Sequence, residues 1–111
     1  MLELKFNFDL KALYKYLKNN RWTRAIEYEK LWPVKHRRFY KKEKCTIAIC
    51  TNKKDRDFTD NIIELLHFLE KKQDKFYLTI LYEILCFSNT KESEEIKKKI
   101  LKFILPNETK I

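Results

Sequence analysis

The fold is decided by the stretch CTIAICTNKKDRDFTDNIIELLHFL, residues 45–69, where a β-rich segment is followed by a helical one. Cys45–Cys50 is nearly continuous in small, apolar and β-branched residues, which predicts the central strand of a sheet. The polar run Asn52–Asp57 predicts a loop. Apolar residues then recur every three or four positions from Phe58 to Leu69, which predicts an amphipathic helix.

The residues before this stretch predict three more strands and one helix. Apolar and polar residues alternate over Leu2–Phe8, which predicts a short strand with one buried face. Asp9 is a suitable N-cap for an amphipathic helix that starts at Leu10 and stops at Asn19-Asn20. Trp22–Tyr28 and Leu31–Tyr40 predict two further strands. Lys41–Lys44 follows as a polar turn.

The residues after this stretch predict more helices. One helix is expected over Phe76–Cys86 and another from Lys91 to about Leu105. Asn89 with Glu92 resembles a capping box for the last helix, and Pro106 is expected beyond its end. No glycine is present, so the helices must end on Asn or Asp.

This order of elements predicts a single α+β domain over residues 1–111, with a strand-rich half (1–56) and a helical half (57–111). We expect a small antiparallel sheet of three or four strands. The helices that begin at Leu10 and Phe58 should back this sheet, and additional C-terminal helices should complete the domain.

The net charge of +9 lies in the first half of the chain. Residues 1–56 contain 16 lysines and arginines against 6 acidic residues, whereas residues 57–111 contain 9 against 10. Within residues 30–54, nine basic residues accompany a single acid, Glu43. Such a dense cationic field repels itself, so it favours a polyanionic or acidic partner.

We therefore predict a nucleic-acid-binding basic hairpin that contacts backbone phosphates. The predicted contact residues are Lys30, Lys35, Arg37, Arg38, Tyr40, Lys41, Lys42, Lys44, Lys53 and Lys54. Two alternatives stay open. The basic face could dock on an acidic protein surface, or it could merely solvate an edge hairpin, where lysine also discourages aggregation.

The sequence predicts no catalytic residue, cofactor or metal site, and the protein is expected not to be an enzyme by itself. A phosphate-binding glycine loop is impossible without glycine. Asp55 and Asp57 leave a metal-dependent nuclease as a further alternative, although capping of the helix at Phe58 by Asp57 or Thr59 also explains acidic residues there. Cys45 and Cys50 have an odd spacing that points them to opposite faces of a strand, which is unsuitable for shared zinc ligation.

The cellular setting is predicted to be cytoplasmic. Three cysteines suit a reducing compartment, and no apolar run approaches the roughly 18 residues of a membrane span. Lys, Ile, Asn, Phe and Tyr are abundant, which is typical of AT-rich microbial genomes and mobile elements. We thus expect a small accessory protein of a larger complex. Apolar residues in the C-terminal helices could close the core or bind a protein partner.

Residues 10–71 resemble the helix–three-strand–helix arrangement of double-stranded-RNA-binding-like domains and HicA-type toxins. The resemblance depends on element order and on LKNNRW at residues 17–22, similar to the helix end and tryptophan of that group. HicA-type toxins carry a Gly-Ser-His motif with a catalytic histidine on the second strand. The corresponding residues here, KLWPVKH at 30–36, include neither glycine nor serine. The resemblance therefore implies a fold and not the ribonuclease activity.

Overall fold

The structure, a computed structural model, describes residues 8–31 and 35–108, with side chains described as far as residue 103. The predicted strand at Leu2–Phe8 thus lies outside the described residues except for Phe8. The described elements, in chain order, are α1 (Leu10–Asn19), β1 (Thr23–Arg24), α2 (Ile26–Leu31), β2 (Arg37–Lys42), β3 (Cys45–Cys50), α3 (Phe58–Gln73), α4 (Tyr77–Leu85) and α5 (Lys91–Glu108).

The three described strands form an antiparallel sheet in the order β1-β2-β3, which confirms the predicted α+β class. The register runs from Arg37 opposite Cys50 to Lys42 opposite Cys45, so only Glu43 and Lys44 form the turn. Lys41 and Lys42, predicted in the turn, are strand residues. The prediction of Cys45–Cys50 as a strand is correct, but among the described strands β2 is central.

Asn61 of α3 satisfies the edge of β3 that does not face β2. Its Nδ2 donates to Ala48 O at 3.0 Å, and its Oδ1 accepts from Cys50 N at 2.8 Å. A side-chain amide thus replaces the donor and acceptor of a neighbouring strand, which satisfies these two edge groups. This contact fixes α3 against the sheet.

The predicted strand Trp22–Tyr28 is wrong after Arg24, because α2 begins at Ile26. The Glu29 carboxylate accepts from Phe39 N at 3.3 Å, the donor that a longer β1 would otherwise engage. The same carboxylate binds Arg24 through Nε at 3.1 Å and Nη2 at 2.9 Å. A bidentate ion pair thereby stabilises the corner between β1 and α2.

The predicted strand Leu31–Tyr40 is also wrong in its first part. Leu31 ends α2 and is 68% exposed, residues 32–34 lie outside the described part, and the strand begins at Arg37. His36, just before it, has φ 58° in a turn. Among the described residues of this segment, Leu31 thus belongs to a short helix, and Lys35 and His36 belong to a turn that precedes the hairpin.

The core lies between the sheet and the helices. α3 packs on β3 and α4, α1 packs on α4, and α5 packs on α4. The largest fully buried side chains come from every layer: Phe8, Leu13, Leu17, Ile49, Cys50, Ile62, Leu69, Ile80, Leu81, Ile84, Leu85 and Ile100. The apolar stripes predicted for α1 and α3 thus face this core. No helix of the described residues is long and apolar enough to cross a membrane.

Residues other than glycine take the left-handed positions that end the helices. Asp74 ends α3 with φ 53°, as the absence of glycine predicts. Asn20 is the C-cap of α1, but the left-handed residue is Arg21, with φ 69°. A non-glycine residue in this conformation costs about 1–2 kcal/mol. The hydrogen bond from Trp22 N to Leu17 O, 2.9 Å, secures the turn at Arg21.

A partly buried chain of hydroxyl groups, called here the hydroxyl network, connects the start of α1 to the start of α5. Ser88 Oγ donates to Asp9 Oδ2, Ser93 Oγ donates to Ser88 Oγ, and Thr90 Oγ1 donates to Ser93 Oγ, each at 2.8 Å. Thr90 Oγ1 also accepts from Ser93 N at 3.1 Å. The cap of α5 is thus Thr90 and not Asn89 as predicted, and α5 continues past the predicted stop before Pro106.

The Asp9 carboxylate accepts hydrogen bonds from two partners. Its Oδ1 accepts from Ala12 N at 3.2 Å, the predicted N-cap of α1, while Oδ2 accepts from Ser88. Burial alone would raise the pKa of Asp9, but the hydrogen bonds from Ser88 and the backbone outweigh it, and the pKa lies below its usual value. The ionised carboxylate is therefore the form that the fold stabilises.

Candidate functional site

The predicted basic residues do not form one surface. Side chains alternate along β2, so Arg37 and Lys41 lie on the face of Phe39, and Arg38 lies on the face of Tyr40. The two ends of β2 are about 17 Å apart at ~3.4 Å per residue. Lys42 and Lys44 lie at the turn end of the hairpin, and Lys35, Lys53 and Lys54 lie near its opposite end.

The Phe39 face is covered by α2, and part of its charge is paired with acidic residues of that helix. The Tyr28 ring packs on Phe39 with centroids 6.4 Å apart. Glu27 forms a salt bridge with Lys41, which raises the pKa of Lys41 and lowers that of Glu27. Arg37 has no carboxylate within salt-bridge distance among the described residues, so this face keeps one unopposed cation.

The Tyr40 face opens into a pocket of about 420 Å³ between α1 and the sheet. Its walls include Tyr14, Lys15 and Lys18 from α1, Trp22 and Arg24 around β1, and Arg38 and Tyr40 from β2. These seven residues and Thr23, which also lines the pocket, are called the pocket residues below. Apart from Thr23, the wall is made of cationic and aromatic side chains.

Local sequence explains why these side chains meet. Tyr14 and Lys18 are four residues apart, so both lie on one side of α1. Asn20 Nδ2 donates to Tyr16 O at 2.8 Å and closes the helix, after which the left-handed Arg21 reverses the chain. Trp22 is thereby placed beneath α1 and is only 2% exposed. β1 then adds Arg24 beside Tyr40, its register partner.

Arg38 is held by the rings of the pocket. Its guanidinium carbon lies 4.1 Å from the centroid of Tyr14 and 5.7 Å from that of Tyr40. The two tyrosine rings are stacked, with centroids 6.0 Å apart and planes 23° from parallel. A cation–π contact of this kind contributes about 0.5–2 kcal/mol. Burial raises the pKa of Tyr40, so its phenol stays neutral.

Two buried donors of the pocket residues have no hydrogen-bond partner. They are Arg38 Nε and Trp22 Nε1, and they are the two such buried side-chain atoms among the described residues. Each group can only donate. Leaving a buried donor unpaired costs about 1–3 kcal/mol, so native structures rarely do so without a reason. A ligand that brings acceptors would relieve this cost.

The positive charge of the pocket is largely unopposed. Lys15 and Lys18 are exposed, and no carboxylate among the described residues lies within salt-bridge distance of Lys15, Lys18 or Arg38. Arg24 is the exception because Glu29 binds it, which raises the pKa of Arg24. The pocket thus combines free cations, stacked rings and unsatisfied donors, a combination suited to an anion that carries a flat group.

Only some of the residues that line the pocket are among the predicted nucleic-acid contact residues. Arg38 and Tyr40 belong to the predicted set and line the pocket, whereas the other six pocket residues do not belong to it. One signal was available, because lysines at 11, 15 and 18 recur at helical spacing on the polar side of α1. The unpaired state of the two donors has no sequence signal, since it depends on packing between distant segments.

The remaining predicted residues lie elsewhere. Lys30 is exposed on α2, and Lys35, Lys44 and Lys54 are exposed in turns. Arg37 Nη1 donates to the neighbouring carbonyl of His36 at 3.1 Å. The electrostatic field of Lys53 contributes to the lowered pKa of Asp9. These residues surround the hairpin without converging on one point.

Other candidate chemistry is accounted for by local contacts. Asp55 Oδ1 accepts from Asp57 N at 2.9 Å, and Asp57 holds the N-cap position of α3 without a side-chain capping bond. Across residues 8–31 and 35–108, no three His, Cys, Asp or Glu residues are grouped as a metal site would require. Cys45, Cys50 and Cys86 are free thiols, and Cys86 is exposed.

The apolar residues of the C-terminal helices divide between core and surface. Leu78 is buried and Tyr77 and Tyr82 pack against the core. Phe87 and Phe103 are exposed, Phe103 by 55%. Some of the apolar residues of the C-terminal helices thus close the core, and others lie at the surface.

Comparison of the chain with protein-family models, with curated proteins and with solved structures gave no match. The resemblance of residues 10–71 to double-stranded-RNA-binding-like and HicA-type domains therefore stays a prediction. A functional proposal for this chain depends on the geometry and chemistry of the pocket.

Proposed function

We propose that the protein is a non-catalytic nucleic-acid-binding protein whose contact surface is the pocket and its rim. The observation that carries the proposal is a pocket lined by cationic and aromatic side chains, two of which, Arg38 and Trp22, also hold a buried donor without a partner. The binding surface of the proposal is therefore one face of the hairpin with α1, instead of the whole basic hairpin.

Each part of the pocket suits one part of a nucleic acid. Lys15 and Lys18 are exposed cations that can approach backbone phosphates and release counterions. The Arg38 guanidinium can donate to phosphate or base acceptors, with the charge-assisted strength that neutral donors lack. The partly buried ring of Tyr14 offers a stacking surface for a base, and Tyr40, only 5% exposed, supports that ring by stacking on it.

The chemistry of the lining favours binding over catalysis. None of the described residues that line the pocket carries a carboxylate, an imidazole or a thiol, the groups that most often act as acid, base or nucleophile. The proposal therefore places the protein as an accessory subunit, within a larger microbial or mobile-element complex. An acidic protein partner would engage the exposed lysines but would leave the two buried donors unused.

The test is a binding titration of the full chain with single-stranded and duplex DNA and RNA at several salt concentrations. Two double variants are compared: Lys15→Ala with Lys18→Ala at the pocket rim, and Lys98→Ala with Lys99→Ala, exposed on α5. Both remove two positive charges. We expect the rim variant to reduce the slope of log affinity against log salt by about 0.7 to 0.9 per lost phosphate contact.

The α5 variant serves as the matched control and should change the slope by less than half as much. Equal effects of the two variants would show that binding follows net charge alone and would refute the assignment to the pocket. No binding to any of the four nucleic acids near 50 mM salt would refute the proposed function itself and favour an acidic protein partner.

A further inference from the structure

We infer that the pocket accepts one unpaired nucleotide of a single strand, with its base against the stacked tyrosines and its phosphates at the Lys15–Lys18 rim. This inference rests on the proposed function and makes it more specific. It names single-stranded nucleic acid as the ligand class, Tyr14 and Arg38 as residues that contact the inserted nucleotide, and Trp22, only 2% exposed, as a residue of the pocket wall that reports binding.

The size of the pocket favours a single nucleotide. Its volume of about 420 Å³ lies in the lower part of the range of about 300–1,000 Å³ found for small-molecule sites. A base in a duplex is stacked and paired, so its faces and its Watson–Crick edge are not available to a protein pocket. An unpaired base can leave the strand and insert between protein side chains.

The aromatic geometry supplies a surface for the base. Tyr14 and Tyr40 are within 23° of parallel, and Arg38 lies against Tyr14 with its guanidinium 4.1 Å from the ring centroid. Stacked tyrosine rings and a planar guanidinium are the groups on which unpaired bases stack in single-strand recognition. Stacking also tolerates every base, so little sequence preference is expected.

The unpaired donors match what a nucleotide offers. Bases carry carbonyl oxygens and ring nitrogens, and phosphates carry oxygens, all of which accept hydrogen bonds. Arg38 Nε and Trp22 Nε1 can only donate. A nucleotide can therefore supply acceptors to these atoms once the side chains that cover them move on binding, whereas a free inorganic anion brings no flat group for the rings.

The charge distribution orients the nucleotide. Glu29 neutralises Arg24 at the β1 side of the pocket, with oxygen–nitrogen distances of 2.9 and 3.1 Å. Lys15 and Lys18, three residues apart on exposed turns of α1, have no carboxylate within salt-bridge distance in the part of the chain that the structure describes. Phosphates on either side of the inserted nucleotide are thus attracted to the α1 rim and away from Glu29.

The test uses Trp22 as the reporter, in full-length protein carrying Trp32→Phe so that Trp22 is the single tryptophan. Its fluorescence is titrated with an eight-nucleotide single strand, the same strand in a duplex, a nucleoside monophosphate and inorganic phosphate. We expect the single strand to quench Trp22 and to bind at least tenfold more tightly than the duplex. The monophosphate should quench at higher concentration, and phosphate should not quench at comparable concentration.

A pair of substitutions at Tyr14 provides a structural control. Tyr14→Phe keeps the ring and should reduce single-strand affinity by less than threefold. Tyr14→Ala removes it and should reduce the affinity at least tenfold, while circular dichroism shows that the fold is retained. Equal losses for the two variants would overturn the stacking role.

Failure of the inference is distinguishable from failure of the proposed function. Equal binding of single strand and duplex without quenching of Trp22 would overturn the inference and leave nucleic-acid binding in place. Tighter binding of the monophosphate than of the strand would also overturn it, in favour of a free-nucleotide site. No binding of any nucleic acid would refute both.

Discussion

Two partly buried polar clusters lie at different points along α1, and they differ in how completely their hydrogen bonds are made. In the hydroxyl network, Asp9, Ser88, Thr90 and Ser93 are joined by three bonds of 2.8 Å. In the pocket, Arg38 Nε and Trp22 Nε1 are buried without a partner. The first cluster satisfies its buried polar groups within the fold, and the second leaves acceptors to be supplied from outside.

This difference shows that the burial of polar groups does not by itself identify a binding site. A satisfied polar network makes a fold more specific, because its removal leaves groups unpaired. An unsatisfied cluster lowers stability and is kept only where another property needs it. The two clusters should therefore respond in opposite ways to substitution: the network in stability, the pocket in binding.

The largest expected effect on binding is that of Arg38→Met. The substitution keeps a long unbranched side chain on Tyr14 but removes the donors and the charge. We expect single-strand affinity to fall at least tenfold, about 1.4 kcal/mol, measured by titration. The free energy of unfolding should change by less than about 1 kcal/mol, because the lost cation–π contact is offset by removal of an unpaired buried donor.

Arg38→Lys is the control for charge. It keeps the positive charge without the planar guanidinium, so binding should be intermediate between wild type and Arg38→Met. A strongly destabilised Arg38→Met protein, or one with wild-type affinity, would mean that Arg38 is a structural residue like those of the hydroxyl network.

Ser88→Ala tests the other cluster. Its hydroxyl donates to Asp9 and accepts from Ser93, so its loss leaves a carboxylate oxygen and a buried hydroxyl group without this partner. We expect chemical denaturation to show a loss of about 1–3 kcal/mol in the free energy of unfolding. Single-strand affinity, measured where the variant is fully folded, should stay within twofold of wild type. A loss of binding with unchanged stability would reverse the roles of the two clusters.

The stability of the hydroxyl network should also depend on pH through Asp9. Its pKa is lower in the folded state than in the unfolded state, so ionised Asp9 stabilises the fold above its unfolded pKa, and this stabilisation is lost as pH falls. Between about pH 6 and pH 3, wild-type protein should lose more stability than Asp9→Asn, which keeps an N-cap oxygen. Identical pH profiles in denaturation would contradict a stabilising carboxylate.

The smallest effect is expected for Lys41→Ala, on the α2-covered face of β2. Lys41 is already paired with Glu27 and lies opposite the pocket. Because an exposed ion pair contributes little, neither the denaturation midpoint nor the single-strand affinity should change measurably. An affinity loss as large as that of the Lys15→Ala and Lys18→Ala double variant would show that both faces of the hairpin bind.

The elements that the sequence predicts well are those with local signals. The capped stripe of α1 and the apolar stripe of α3 have the bounds expected to within a few residues. α2 was missed because alternating apolar residues over 22–28 favour a strand. Its formation depends instead on the Glu29 carboxylate, which occupies Phe39 N ten residues away.

The candidate site was predictable only in part, because it too depends on contacts between residues that are distant in the chain. The local density of basic residues predicts Arg38 as a contact residue, and Tyr40 lies close to it in the same predicted strand. Contact of Arg38 with Tyr14, 24 residues earlier in the chain, depends on how α1 packs over the sheet. Whether a buried nitrogen has a partner is a property of that packing, which composition and periodicity do not report.

The most direct test of the claim that the pocket binds nucleic acid is to follow the two buried donors themselves. In ¹⁵N-labelled Trp32→Phe protein, the Trp22 Nε1–H and Arg38 Nε–H signals are followed by NMR during titration with the eight-nucleotide single strand. If the pocket is the binding site, both signals should shift and their hydrogens should exchange more slowly as they gain acceptors. If the strand binds while both signals stay unchanged, and shifts appear only at other residues, the pocket is not the nucleic-acid site.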